Sequence, residues 1–134
     1  MFFLNPGSVQ FAGESWGDVS SVTVDRQATR VVEAWSDGGP HATLIDAPEQ
    51  RTTIKLVQSL AGDAVGTPTL ATQGELRFET APTASDAQAK RVRTQAVVVE
   101  VSHSVARNGV ATRTVKLLAV SSDGASDPLA VESV

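Results

Sequence analysis

The segment from Thr72 to Thr80 constrains the fold most: Leu76 and Phe78 fall on one side of a two-residue period, and Glu75, Arg77 and Glu79 on the other. A period of two is the repeat of an extended strand, whose successive side chains leave opposite faces of a sheet. One face of this strand must meet a core and the other water. The same signature recurs in weaker form. Val22-Thr23-Val24 and Thr29 to Trp35 are β-branched runs, and the second ends in Ser36-Asp37-Gly38-Gly39-Pro40, which is turn chemistry. Ala42 to Ile45 gives a short element before Asp46-Ala47-Pro48. Gln50 to Leu60 then sets Ile54, Leu56 and Leu60 against Thr53, Lys55 and Ser59. Gly62, Gly66 and Pro68 break the pattern, and 62–72 reads as a long surface loop.

Asn108-Gly109 lies between Gln95 to Arg107 and Val110 to Ser121, and Asn-Gly suits the positive φ angles of a two-residue type I′ turn. A hairpin closed there pairs Ser104 with Arg113, Glu100 with Leu117 and Val99 with Leu118. Its faces are mixed: Val97, Val99, Val101, Val105 and Leu118 share one, while Val98, Val115 and Leu117 sit among Glu100, Ser102, Ser104 and Arg113. Both faces should therefore be partly covered, by the same domain or by a neighbour. One short helix is expected where Ser85-Asp86-Ala87-Gln88 fits a capping box, with Lys90, Arg91 and Arg93 toward its C-terminal end, where cations suit the helix dipole. The expected fold is all-β with one short helix. It is an antiparallel β-sandwich or open barrel with a long hairpin near the C-terminus, forming a single domain over 1–134.

Composition narrows the function classes. With 134 residues, 41% hydrophobic and 19% charged, the chain can bury one core. A net charge of −4, with acids and bases interspersed, offers no basic stripe for phosphates. The absence of cysteine excludes disulfides, thiolate metal sites and thiol nucleophiles. The start, Met1-Phe2-Phe3-Leu4-Asn5-Pro6-Gly7, has a short apolar run and no preceding positive charge. It reads as neither signal peptide nor membrane span, so a chain made in the cytoplasm and soluble there is expected.

Candidate chemistry is sparse. Gly13-Glu14-Ser15-Trp16-Gly17 has the letters of a Gly-x-Ser-x-Gly nucleophile elbow, but that chemistry needs a strand-to-helix turn, and here a strand-like segment follows. His41 and His103 lack the spacing and companions of a zinc site. Glu75 and Glu79 share a strand face, with Glu100 on a nearby strand, so a glycosidase-like carboxylate pair is the most serious enzymatic option. Sugar sites generally offer aromatic platforms, and this chain has no tyrosine, two tryptophans and four phenylalanines. Solvated carboxylates account for the same pattern. The expectation is a non-catalytic chain without cofactor or metal.

The order of elements is similar to that of bacteriophage tail tube proteins, the major tail protein family. The resemblance rests on Val19-Ser20-Ser21-Val22-Thr23-Val24-Asp25-Arg26, a turn-rich strand pair, Ile54-Lys55-Leu56-Val57-Gln58-Ser59-Leu60, a polar loop, the Glu75-to-Glu79 strand, a short capped helix and a closing long hairpin. It is one of pattern, covering nearly the whole chain. It implies hexameric rings whose inner sheets join into a ring barrel, stacked into a tube of the virion tail through which DNA passes without specific binding. The implied partners are further copies of the chain, a tape measure protein, tail-tip or baseplate proteins and, in contractile tails, a sheath; no membrane insertion is implied. Acidic lumens keep a polyanion from adhering, which makes Glu75, Glu79 and Glu100 lumen candidates. Phe2, Phe3 and Leu4 are candidates for docking on a neighbouring subunit. Single-ring tail terminators, head–tail joining proteins and the type VI secretion tube protein share the architecture, and a small carbohydrate-active or sugar-binding β domain is the alternative from another class.

Overall fold

A computed structural model of the chain describes residues 2–4, 7–60, 68–80, 89–105, 107 and 111–133. Nine strands follow one another: β1 (Phe2–Leu4), β2 (Gly7–Phe11), β3 (Glu14–Ser15), β4 (Val19–Trp35), β5 (Ala42–Leu60), β6 (Gln73–Glu79), β7 (Lys90–Val105), β8 (Ala111–Val120) and β9 (Ala130–Ser133). They form one antiparallel sheet in the order β1-β4-β5-β8-β7-β6-β2-β3, with β9 pairing with the start of β7. The all-β expectation holds. Two pairs of predicted elements are each a single long strand: Val22–Val24 with Thr29–Trp35, and Ala42–Ile45 with Gln50–Leu60.

The sheet is rolled. Only Asn5 and Pro6 separate β1 from β2, yet β1 pairs with β4 at one end of the order and β2 with β6 near the other. Three Cα–Cα steps of 3.80 Å bring Leu4 and Gly7 within about 11 Å of each other, so the two ends of the sheet must approach. Among the described residues no ladder joins β4 to β2 or β6, and the roll stays open rather than closing into a barrel. Its concave face holds the core: Val22 and Val24 from β4, Ile54 and Leu56 from β5, Val115 and Leu117 from β8, Val98 from β7, Leu76 and Phe78 from β6, and Val9 and Phe11 from β2. Full burial of each large apolar side chain contributes roughly 1.5–3 kcal/mol, and the core draws on residues from Val9 to Leu129.

A β-bulge explains the mixed faces of the long hairpin. From Val92 to Val98 the even-numbered residues of β7 point inward, as Val92, Thr94, Ala96 and Val98 are all buried. Pairing then slips between Val98↔Leu117 and Glu100↔Lys116, so Val99 and Glu100 together oppose Lys116. Such an extra residue reverses which parity faces the core. Beyond it Val101 lies opposite buried Val115, and His103 opposite buried Arg113. The expected pairs are thus corrected: Ser104 meets Thr112, Glu100 meets Lys116, and Leu118 meets Val97 rather than Val99. The last pair toward the turn is Val105↔Ala111; Asn108 and Gly109 lie outside the described residues.

The expected helix is also corrected. The capping box Ser85–Gln88 lies outside the described residues, but Lys90, Arg91 and Arg93 belong to strand β7, and the described residues contain no helix. The physical reason lies in the neighbours. Arg91 meets Glu79 on β6 at 3.2 Å and Arg93 meets Glu132 on β9 at 3.1 Å, while Val92 between them is buried. Cross-strand partners for alternate side chains outweigh a local cap and cationic end.

A candidate interaction surface at two ends of the sheet

Strands β4 and β5 pair from Val19↔Gln58 to Trp35↔Ala42, but β8 accompanies β5 only from Thr53 to Leu60 and β1 accompanies β4 only over Ser21–Thr23. Beyond that body the hairpin continues as a two-stranded ribbon, exposed along nearly its whole length. Pro48 sits within β5 in this stretch; a residue without an N–H is tolerated there because the pairing with β4 is irregular between Arg30↔Glu49 and Val32↔Asp46, and Pro48 has no ladder partner in that register. At the tip, the Gly38 N–H donates to Ser36 Oγ at 3.3 Å, and Thr43 Oγ1 donates to the Ala34 carbonyl at 3.2 Å.

The ribbon holds large apolar side chains in water among charged ones such as Arg30, Glu33, Asp46 and Glu49. Trp35 is 58% exposed, Leu44 58% and Ile45 67%, with Val31 and Val32 exposed behind them. Isolated two-stranded ribbons are marginally stable in water. Contiguous exposed apolar surface of a few hundred Å² marks interaction sites on soluble proteins. The ribbon carries exposed apolar side chains on both faces, since Leu44 and Ile45 are consecutive on one strand, and its edges, unpaired among the described residues, are templates for pairing.

Its base is braced. Arg26 reaches Asp127 at 2.7 Å, tying β4 to the loop between β8 and β9. That loop is closed by Asp123, whose Oδ1 accepts the N–H groups of Ser126 at 2.8 Å and Ala125 at 2.9 Å, with the Ser126 and Ser121 hydroxyls adding to its carboxylate. Donation from the Ser126 backbone, then from Ala125 and the hydroxyls, holds the Asp123 carboxyl well below the usual carboxylate range. Asp127 is lowered too, first by the Leu129 N–H and then by Arg26.

The other end of the roll carries a polar plug. Arg113 Nη2 donates to Gln58 Oε1 at 2.6 Å, and Gln58 Nε2 donates to the Gly17 carbonyl at 2.6 Å. Trp16 lies under the guanidinium and packs edge-on against Phe11, with ring centroids 5.8 Å apart. Burial lowers the Arg113 pKa from its ordinary value. Next to this plug, the bulge at Val99 and the turn over 69–72 form a cleft of about 460 Å³ lined by Pro68, Thr69, Leu70, Val99, Glu100, Val101 and His103. Leu70 and Val99 are exposed, and the turn is fastened to β7 by the Ala71 N–H donating to the Val98 carbonyl at 2.8 Å.

The residues singled out in the sequence fall as follows. Glu75, Glu79 and Glu100 all lie on the face of the sheet away from the core, opposite Gln95, Arg91 and Lys116 respectively. Glu75 and Glu100 are exposed, while Glu79 is half-buried in its ion pair with Arg91. This face is mixed in charge: Asp25, Lys55 and Lys116 line the same shallow depression as Glu100. The Phe2–Leu4 backbone pairs with Thr23–Ser21 of its own chain. Ser15 stands exposed on β3, after a tight hairpin in which Ala12 and Gly13 both have positive φ, 53° and 84°, and not on a strand-to-helix turn. His41 lies exposed in the ribbon turn, and His103 borders the cleft. Among the described residues no cluster of three or more His, Asp or Glu side chains forms a metal site. Sequence reasoning missed the ribbon, the plug and the cleft; the run of apolar residues on both sides of the 36–41 turn was the available signal for the first. No protein-family model matches the chain, and no curated protein matches it in sequence.

Proposed function

We propose that the chain is a non-catalytic structural subunit that works by assembling with copies of itself, and that the assembly is the tube of a bacteriophage tail. In this reading hexameric rings stack into a hollow conduit for DNA, with a tape measure protein and tail-tip or baseplate proteins as further partners. The observation that carries it is the β4–β5 ribbon, which extends beyond its own core with Trp35, Leu44 and Ile45 in water and both edges unpaired among the described residues. A monomer gains nothing from such a projection, whereas pairing of edges around a ring removes them. The order of the strand segments, without the short helix on which the resemblance also drew, and the acidic balance support the narrower identification. Glu75, Glu79 and Glu100 remain the lumen candidates on the solvent face, and Phe2, Phe3 and Leu4 the candidates for contact between subunits.

Negative-stain electron microscopy of the purified protein tests this. Tubes or stacked rings that lengthen with concentration are expected. Single rings at every concentration would assign the chain to the terminator or head–tail joining class, and monomers at every concentration would refute self-assembly.

A further inference from the structure

The tripeptide Ser-Asp-Gly occurs twice in the chain, at Ser36-Asp37-Gly38 in the ribbon turn and at Ser122-Asp123-Gly124 in the loop between β8 and β9. Aspartate before glycine is open to attack by the next backbone nitrogen on its own side chain, because glycine has no Cβ to hinder ring closure and leaves the backbone free to turn. We infer that Asp37 is a site of spontaneous isoaspartate formation and that Asp123, in the same local sequence, is protected from it. The chemistry is the chain's own and does not rest on the reading of it as a self-assembling subunit.

The step needs only water. The Gly38 nitrogen loses its proton and bonds to Asp37 Cγ, while the neutral carboxyl loses its hydroxyl; proton and hydroxyl leave together as water, and a cyclic imide closes. A water molecule then opens the imide. Cleavage of the new N–Cγ bond restores aspartate. Cleavage of the bond from nitrogen to the Asp37 main-chain carbonyl carbon gives isoaspartate, with Cβ now in the main chain and the α-carboxyl as the side group. The turn joining β4 to β5 is thereby lengthened by a carbon.

Both sites are exposed, so exposure does not separate them. Their amides are alike as well: the Gly38 N–H donates to Ser36 Oγ at 3.3 Å, and the Gly124 N–H to Ser121 Oγ at 3.1 Å. The carboxylates differ. Asp123 Oδ1 accepts from the Ser126 and Ala125 N–H groups and the Ser121 hydroxyl, and Oδ2 accepts from the Ser126 hydroxyl. These donors commit the carboxyl to residues 125 and 126 rather than to the Gly124 nitrogen, and they favour the charged form, which cannot release a hydroxyl. Among the described residues no hydrogen bond or ion pair holds the Asp37 carboxyl, which can turn onto the Gly38 nitrogen. Around Gly38 a Cβ would meet only Ser36 Oγ, at 3.4 Å, so the turn has room for the ring.

The purified chain is incubated in mildly acidic buffer, folded or in urea, and digested with trypsin. The two sites fall on separate peptides, 31–51 and 117–134, and Asn108-Gly109 on a third, 108–113. Electron-transfer fragmentation assigns isoaspartate to the residue. In the folded protein it should accumulate at Asp37 about tenfold or more faster than at Asp123, since each pKa unit of lowering cuts the neutral carboxyl about tenfold. In urea the two rates should converge, because the local sequences match. Gly38→Ala should slow the reaction at residue 37 several-fold with an unchanged thermal unfolding profile. Equal rates at the two sites in the folded protein, or isoaspartate at Asp46 in place of Asp37, would overturn the inference. A difference that persists undiminished in urea would also overturn it, by showing that sequence and not the fold protects Asp123.

Discussion

The guanidinium carbon of Arg113 lies 4.6 Å from the centroid of the Trp16 ring, so a cation on the buried side of β8 is stacked on an indole from the segment joining β3 to β4. Gln58 on β5 completes the arrangement by accepting from Arg113 and donating to Gly17. Three segments distant in sequence are thereby locked at one end of the roll. Arg113→Lys keeps the charge but loses the planar stack and the fork that meets Gln58, so it should cost about 1–3 kcal/mol, and Arg113→Ala about 2–4 kcal/mol. Urea unfolding measures both. A lysine variant as stable as the parent would show that the stack contributes nothing.

Gly74 on β6 is held tightly against the β2–β3 turn. A Cβ there would stand 2.7 Å from the Ala12 Cβ and 2.9 Å from its Cα. Gly74→Ala should therefore destabilise by about 1–3 kcal/mol through overpacking. Ala12 has a positive φ of 53°, a conformation that suits glycine, so Ala12→Gly alone should be neutral or stabilising by up to about 1 kcal/mol. The double variant should recover only part of the Gly74→Ala loss, because the Ala12 Cα remains in the way. Additive effects in a double-mutant cycle would contradict this contact.

The 121–128 loop should show an acid limit. Asp123 and Asp127 are both lowered in the folded state, relative to an unfolded aspartate near ~3.9. A depressed carboxyl stabilises the fold above its unfolded pKa, and that contribution fades as pH falls through the folded value. Unfolding free energy should thus be flat on this account above about pH 5 and decline below about pH 4. Asp123→Asn should flatten the decline; identical acid limbs in variant and parent would refute the assignment.

Glu75→Gln with Glu79→Gln separates a structural role from a catalytic or sugar-binding one. Glu75 is exposed and Glu79 is paired with Arg91 at 3.2 Å in a half-buried bridge, so the double change should cost no more than about 1 kcal/mol. Assembly seen by microscopy should persist. Loss of a glycosidase or sugar-binding activity in this variant would instead support the enzymatic alternative.

The strands were legible because they carry their own period. Leu76 and Phe78 are buried as their alternation requires, and so are Ile54 and Leu56. Failures occurred where a distant partner set the outcome. Lys90, Arg91 and Arg93 satisfy a helix end locally, yet Glu79 and Glu132 draw the two arginines into a sheet. The valines from Val97 to Val101 carry no mark of which one is extra; the pairing with Lys116 leaves Val99 outside the regular alternation. The plug was unreadable for the same reason, since Trp16, Gln58 and Arg113 meet only after the sheet rolls.

What the sequence by itself determined is the class of the molecule: antiparallel strands with one wet face, a single core, and no thiol chemistry. Alternation of apolar and polar residues fixes those outcomes locally, because each strand must bury one face whatever its neighbours are. Tertiary structure alone decided that β1 and β2 bring the ends of the sheet together, that β4 and β5 outrun the body as a ribbon, and that a bulge opens a cleft far from the ribbon tip. Each depends on the relative lengths and register of paired strands, a property of the pairs that no single strand carries.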